Sequence, residues 1–268
     1  MDSIELAKKI RIASLKMVNA VDSSHIGGAL SMADILAVLY SGVLKFDPKN
    51  PKWEERDRLL LSKGHTCMAL YAALAYTGFY PVEELKTFGI NGSPMLTHIS
   101  HHIPGVETSS GSLGHGLPIA CGIALAGKRK GEDYNTFVIC GDGEMDEGSN
   151  WEAIMFAPQH QLSHLCLIID CNKMQALGDT KDVMDLEPFT DKMKAFRWNV
   201  IRIDGNDHDQ LKNAFKQFKE NANTCKPTVI IADTIKGKGV SYMEHNLKWH
   251  YSSPNDELLQ KAIEEIEK

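Results

Sequence analysis

A chain of 268 residues is long enough for one large domain with a substantial core. Its 43% apolar and 24% charged residues are those of a soluble globular protein, and a formal net charge of −6 with no basic stripe argues against nucleic acid or an acidic membrane as partner. No apolar run approaches membrane-spanning length, the amino terminus lacks a signal peptide's charged and apolar regions, and the cysteines (67, 121, 140, 166, 171 and 225) lack C-x-x-C spacing, so reduced, mostly buried thiols and a cytoplasmic location are expected.

Residues 2–21 carry apolar side chains at Ile4, Ala7, Ile10, Leu15 and Val18, the spacing of an amphipathic helix. A polar break over 22–28 follows, and Ser31-Met-Ala-Asp34 reads as a capping box opening a helix to about Val43. His25 then sits on a glycine-rich turn, where a single hydrogen bond would account for it. Leu59–Ser62 reads as a buried strand ending at Lys63-Gly64-His65, with helices expected over 66–76 and 83–88. A histidine beside glycine at a strand's carboxyl end is well placed to meet a ligand.

From Asn91 to Gly116 the chain reads as a loop, and one of that length is commonly functional. It holds His98, His101, His102 and His115, whose spacing is not that of a zinc framework. Gly111-Ser-Leu-Gly-His-Gly116 fits neither the dinucleotide nor the P-loop pattern. It reads as backbone that approaches a cofactor ahead of a helix over 117–128.

Thr136–Cys140 is a short apolar run that ends in Gly141-Asp142-Gly143, and Leu165–Asp170 is a second that ends in Cys171-Asn172-Lys173-Met174. A helix-patterned segment, 149–162, joins them. Two parallel strands so joined place Asp142 and Asn172 at neighbouring carboxyl ends of one sheet, where ligands of open α/β sheets bind. A carboxylate and an amide oxygen are hard ligands suited to Mg²⁺ or Ca²⁺, which would in turn hold a diphosphate. Helices over 191–198 and 207–221, strands over 199–203 and 228–232, and a final helix from Pro254 complete an α/β pattern: a parallel sheet flanked by helices. Lys236 and Lys238, in a glycine-rich loop, are read as solvated, with phosphate binding as the alternative.

Gly141-Asp-Gly143 with Asn172 downstream resembles the thiamine diphosphate signature, and the text around it resembles the amino-terminal half of transketolases. The matching stretches run in order: Ser24-His-Ile-Gly-Gly-Ala-Leu-Ser31, Arg56-Asp-Arg-Leu-Leu-Leu-Ser-Lys-Gly-His65, Pro104-Gly-Val-Glu-Thr-Ser-Ser-Gly-Ser-Leu-Gly114 and Lys236-Gly-Lys-Gly-Val240. The resemblance implies a single thiamine diphosphate- and metal-binding domain over 1–268. The family's pyrimidine-binding and carboxyl-terminal domains would lie on a separate chain, a transketolase carboxyl-terminal subunit that supplies the glutamate facing the aminopyrimidine. A heterotetramer is expected, and a chain catalytically incomplete alone.

By the same resemblance, Asp142 and Asn172 would ligate the metal through side chains and Met174 through its carbonyl. Gly143 would reach the diphosphate, and Gly111, Ser112 and Leu113 would pass the cofactor's rings. His65 and His250 would lie near the diphosphate and the reacting carbon, and His25 and His98 against the donor's hydroxyls. Glu147 matches a carboxylate that links paired sites; as residues alone, it is equally an exposed loop acid. The implied activity is transfer of a two-carbon ketol unit from a ketose to an aldose.

Departures from the family pattern fall at Ile26, at Ile99-Ser100 and at His115. Two flank donor-side histidines, so xylulose 5-phosphate, a branched sugar phosphate such as apulose 4-phosphate, and a sulfonated sugar all remain open as donors. Two other readings stay in view: another thiamine diphosphate enzyme, of deoxyxylulose-phosphate synthase or 2-oxo acid dehydrogenase type, and a non-catalytic subunit of the same fold.

Overall fold

The computed structural model describes residues 1–268. Five parallel strands form one sheet: β1 (Arg58–Leu61), β2 (Thr136–Gly141), β3 (Leu165–Cys171), β4 (Asn199–Asp204) and β5 (Thr228–Asp233), in the order β1-β2-β3-β5-β4. The β2/β3 register pairs Gly141 with Asp170, so Asp142 and Asn172 leave adjacent strands at one edge. Four apolar residues of β2 with Thr136, and all of β3, are buried, because helices cover both faces. Period-two alternation sorts their side chains. Phe137, Ile139, Cys166 and Ile168 join the larger core, under the helix Ser3–Val21 and the helix Cys67–Tyr76. Val138, Cys140, Leu167 and Ile169 join the smaller one, under helices Gly116–Lys130 and Gly148–Gln159.

The first helix is closed at its start by Asp2, whose Oδ1 accepts from Glu5 N–H at 3.0 Å. Residues 91–115 carry no helix or strand, as expected. The capping-box reading of Ser31 is wrong. Ser31 ends a helix, Ile26–Ser31, and its buried hydroxyl donates to Asp170 Oδ2 at 2.6 Å. Asp34, the box's other member, faces Arg11 instead, with contacts of 2.9 and 2.6 Å. Tertiary charge outcompetes local capping at both positions. The expected helix to Val43 also divides, into Ala33–Val38 and a wider turn over Leu39–Val43.

All six cysteines are unpaired; Cys225 is exposed and the rest are buried. No helix is long and apolar enough to cross a membrane.

Candidate functional site

The carboxyl ends of β1, β2, β3 and β5 surround a cavity of about 260 Å³ that holds His25, His65, His98 and His250 together with Asp142 and Asn172. Gly111, Leu113, Gly143 and Met174 also line it. Ser112 lies exposed on the arch between Gly111 and Leu113, outside the lining. Glu147 is exposed too, at the start of helix Gly148–Gln159, outside the cavity. A larger cavity of about 410 Å³, which shares Asp142, Asn172 and Met174 with it, contains none of the four histidines.

Asp142 is 3% exposed. Its Oδ1 accepts from Gly143 N–H at 2.8 Å and its Oδ2 from Lys173 N–H at 2.5 Å. Burial, and then the charge of Asp170, push its carboxyl up to about 6. The Asn172 oxygen accepts from Met174 N–H at 3.2 Å, and its amide donates to Asp170 at 3.3 Å. Three oxygens thus gather at one edge: the Asp142 carboxylate, the Asn172 amide and the Met174 carbonyl.

His25 is the hub of the histidine group. Its ring centre lies 4.9 Å from those of His65 and His250 and 6.2 Å from that of His98. Its φ of 72° belongs to a tight entry into the helix at Ile26, and its buried Nδ1 has no partner in the chain. A buried ring nitrogen without a partner is costly unless a ligand supplies one. The turn histidine with one satisfied hydrogen bond, the bland expectation, is not what forms.

Burial, and then His98 and Lys236, lower His25 to about 4. Burial and Lys236 lower His250 to about 3, and burial and Lys63 hold His65 well below the usual histidine range. These three rings are therefore neutral at neutral pH, each able to donate from one nitrogen and accept at the other. The remaining loop histidines stay outside. His101 and His102 lie against each other at 4.2 Å, exposed, with His101 bonded to Ser109, and His115 is exposed ahead of helix Gly116–Lys130.

Two lysines stand in the cavity wall, one misread in the sequence and one missed. Lys236 is not solvated: it is 3% exposed, and its Nζ donates to the Met174 carbonyl at 3.0 Å and meets His250 Nδ1 at 3.0 Å. Burial, and then Lys63, lower its ammonium to about 8. Lys238 is half-buried. Lys63 is 2% exposed and forms an ion pair with the fully buried Asp170, which also receives the hydroxyls of Ser31 and Thr234. The one signal in sequence was position: Lys63 directly precedes the Gly64-His65 turn at a strand end.

Residues 3–265 match the family described as transketolase, thiamine diphosphate binding domain. The chain belongs to that family. It is 43% identical over 263 residues to the 6-deoxy-6-sulfo-D-fructose transketolase subunit SqwG of Clostridium sp. strain MSTE9, covering 98% of this chain and 95% of that protein. It is 39% identical to an apulose-4-phosphate transketolase subunit from Phocaeicola vulgatus, covering 99% and 94%. Among solved structures, the transketolase of Campylobacter jejuni superposes with a TM-score of 0.93 at 34% identity, over 99% of this chain but 42% of that one. The chain is a transketolase-family transferase subunit, matched along nearly the whole of subunit-sized relatives and over two-fifths of a one-chain enzyme.

Proposed function

We propose that this chain is the diphosphate-binding half of a two-chain transketolase, one domain over residues 1–268, that moves a two-carbon ketol unit from a phosphorylated or sulfonated ketose to an aldose. The observation that carries the reading is the convergence of four histidines, three held neutral by burial, opposite the Asp142–Asn172 pair.

The donor set fits a hard divalent cation. The Asp142 and Asn172 side chains and the Met174 carbonyl would hold Mg²⁺ or Ca²⁺. Met174's carbonyl already faces one positive charge, the Lys236 ammonium. The surroundings fit a diphosphate as well. Gly143 brings a backbone N–H to the cavity, and a Cβ there would come within 2.6 Å of Gln175 Cβ, so the close approach requires glycine. His65, His250 and Lys236 add donors, and Gly111, Ser112 and Leu113 would pass the rings. When bound, thiamine diphosphate supplies a nucleophilic carbon and an electron sink for carbon–carbon bond cleavage.

His25 and His98 would hydrogen-bond the donor's hydroxyls, with the unpartnered Nδ1 of His25 giving or taking a proton there. Ile26 is fully buried and Ser100 is 2% exposed, its N–H bonded to the Tyr71 hydroxyl. Those departures therefore act by setting where His25 and His98 stand. Glu147 would meet a second copy of the site in the assembly. The partner would supply the pyrimidine-binding domain and its glutamate, in a cytoplasmic heterotetramer. Substrate class rests on the two subunit relatives, named for a sulfonated and a phosphorylated sugar.

Calorimetric titration of thiamine diphosphate with Mg²⁺ into the chain tests this, with and without the product of a neighbouring gene that encodes a pyrimidine-binding domain. Tight binding with both chains, followed by ketol transfer, is expected. Binding in neither case would defeat the reading, and equally strong binding by this chain alone would defeat the shared site. In the assembled enzyme, His25→Ala should lower kcat by roughly 100-fold while changing cofactor affinity far less. Because His25 is held near 4, the wild-type rate should show no inflection from this ring at the ordinary histidine value, about 6.5. A pH profile checks that directly.

A further inference from the structure

Glu144 is a buried acid for which the roles above have no use. It is 2% exposed and lines the histidine cavity. Its carboxylate joins three separate segments. Oε1 accepts from Gly114 N–H at 2.9 Å and from the Ser62 hydroxyl, and Oε2 accepts from Gly141 N–H at 3.1 Å. The Ser62 oxygen in turn accepts from Gly116 N–H at 3.0 Å. One side chain therefore ties the end of β1, the glycine-rich loop and the turn that carries Asp142.

The loop is pinned at both ends and free between. Gly114 has its N–H on Glu144 and its carbonyl on the Ser149 hydroxyl, at 2.7 Å. Its φ of +83° and the 2.7 Å that would separate a Cβ from Glu147 Cβ restrict the position to glycine. At the other end the Ser110 hydroxyl donates to the carbonyls of Leu61 and Ser62, at 2.8 and 3.1 Å. Between these anchors the backbone N–H groups of Gly111, Ser112 and Leu113 have no acceptor within the chain. They form an arch beside the cavity whose placement is decided by its two ends.

We propose that Glu144 is a positioning residue that fixes the Gly111–Leu113 arch relative to the Asp142 turn, and so sets the spacing between the two ends of a cofactor laid along the cavity. The inference rests on the thiamine diphosphate reading for its consequence and on the three hydrogen bonds for its mechanism. A carboxylate suits the place because three donors converge on it and it offers only acceptors. An alanine would leave the Gly114 and Gly141 N–H groups and the Ser62 hydroxyl without their shared acceptor.

The test is Glu144→Ala, followed by hydrogen exchange on the chain and by kinetics in the assembled two-chain enzyme. Exchange in the 110–116 peptide should quicken about tenfold at Gly114, the one amide in it that Glu144 holds, the equivalent of one lost hydrogen bond to a charged group, while β3 and β2 short of Gly141 keep wild-type protection. The KM for thiamine diphosphate should rise by a similar factor while the KM for the ketose stays put. Ser62→Ala, which removes the hydroxyl between Glu144 and Gly116, should loosen the same peptide by a smaller factor. Unchanged exchange over 110–116, or faster exchange throughout the sheet, would overturn the proposal. If the wild-type enzyme takes up no thiamine diphosphate, the fault lies with the functional reading, and the exchange result still decides whether Glu144 holds the loop.

Discussion

Lys63→Met should destabilise the chain by about 3–5 kcal/mol, the usual cost of removing one partner from a buried ion pair. For a domain of this size that lowers the melting temperature by roughly 10 °C. Asp170, with no exposed surface, would keep the hydroxyls of Ser31 and Thr234 and the Asn172 amide but lose its only cation. In the wild type, burial pushes the Asp170 carboxyl up, and Lys63 with the surrounding donors more than reverses this, leaving it below the ordinary range. A carboxyl so depressed contributes stability that is present above its unfolded value, near 4, and is lost as pH falls through the folded one. In the variant the balance reverses, so the loss should be largest at neutral pH and shrink in acid as Asp170 protonates. Adding Asp170→Asn should recover part of it. Denaturant melts across pH check all three points, and a loss under 1 kcal/mol at pH 7 would mean the pair is not the buried tie described.

What was readable in sequence follows how far each feature reaches. β2 and β3 are unbroken apolar runs because both faces of the sheet are covered, so their ends mark the sheet's edge and place Asp142 and Asn172 side by side without further information. The first helix shows itself through its apolar spacing. Ser31-Met-Ala-Asp34 satisfies a local rule and fails because both polar members find distant charges, Asp170 and Arg11, which no window of a few residues contains. Lys63 escapes notice and Lys236 is misread as solvated for the same reason: glycine-rich surroundings look exposed until the acceptors, Asp170 and the Met174 carbonyl, fold over them. The histidines divide likewise. Spacing alone could not tell His98, which enters the cavity, from His101, His102 and His115, which stay outside; the family resemblance named the four that meet.

Asp142→Asn should abolish metal-dependent cofactor affinity while leaving the fold in place. Groups that merely support metal ligands are typically worth 10–100-fold in affinity, so loss of a charged ligand should cost at least about 100-fold. The metal-free chain should tolerate the change. Burial and the nearby Asp170 charge raise the Asp142 carboxyl to about 6 from an ordinary value of 3.8, so its ionisation at neutral pH works against folding. The N–H groups of Gly143 and Lys173 offset part of that cost, and the asparagine oxygen retains one of them as a donor. A folded value above the unfolded one means that metal-free wild-type stability falls as pH rises from about 4 to about 6 and then levels. The variant should lack that slope. Mg²⁺ with thiamine diphosphate should raise the wild-type melting temperature at pH 7 and leave the variant's unchanged, since a ligand stabilises only the state that binds it. Melting curves from pH 4 to 8, with and without the two ligands, separate the possibilities. A variant that keeps full affinity removes Asp142 from the metal site; one that loses affinity but also unfolds shows that the carboxylate holds the turn, with its two backbone bonds outweighing the cost of its burial.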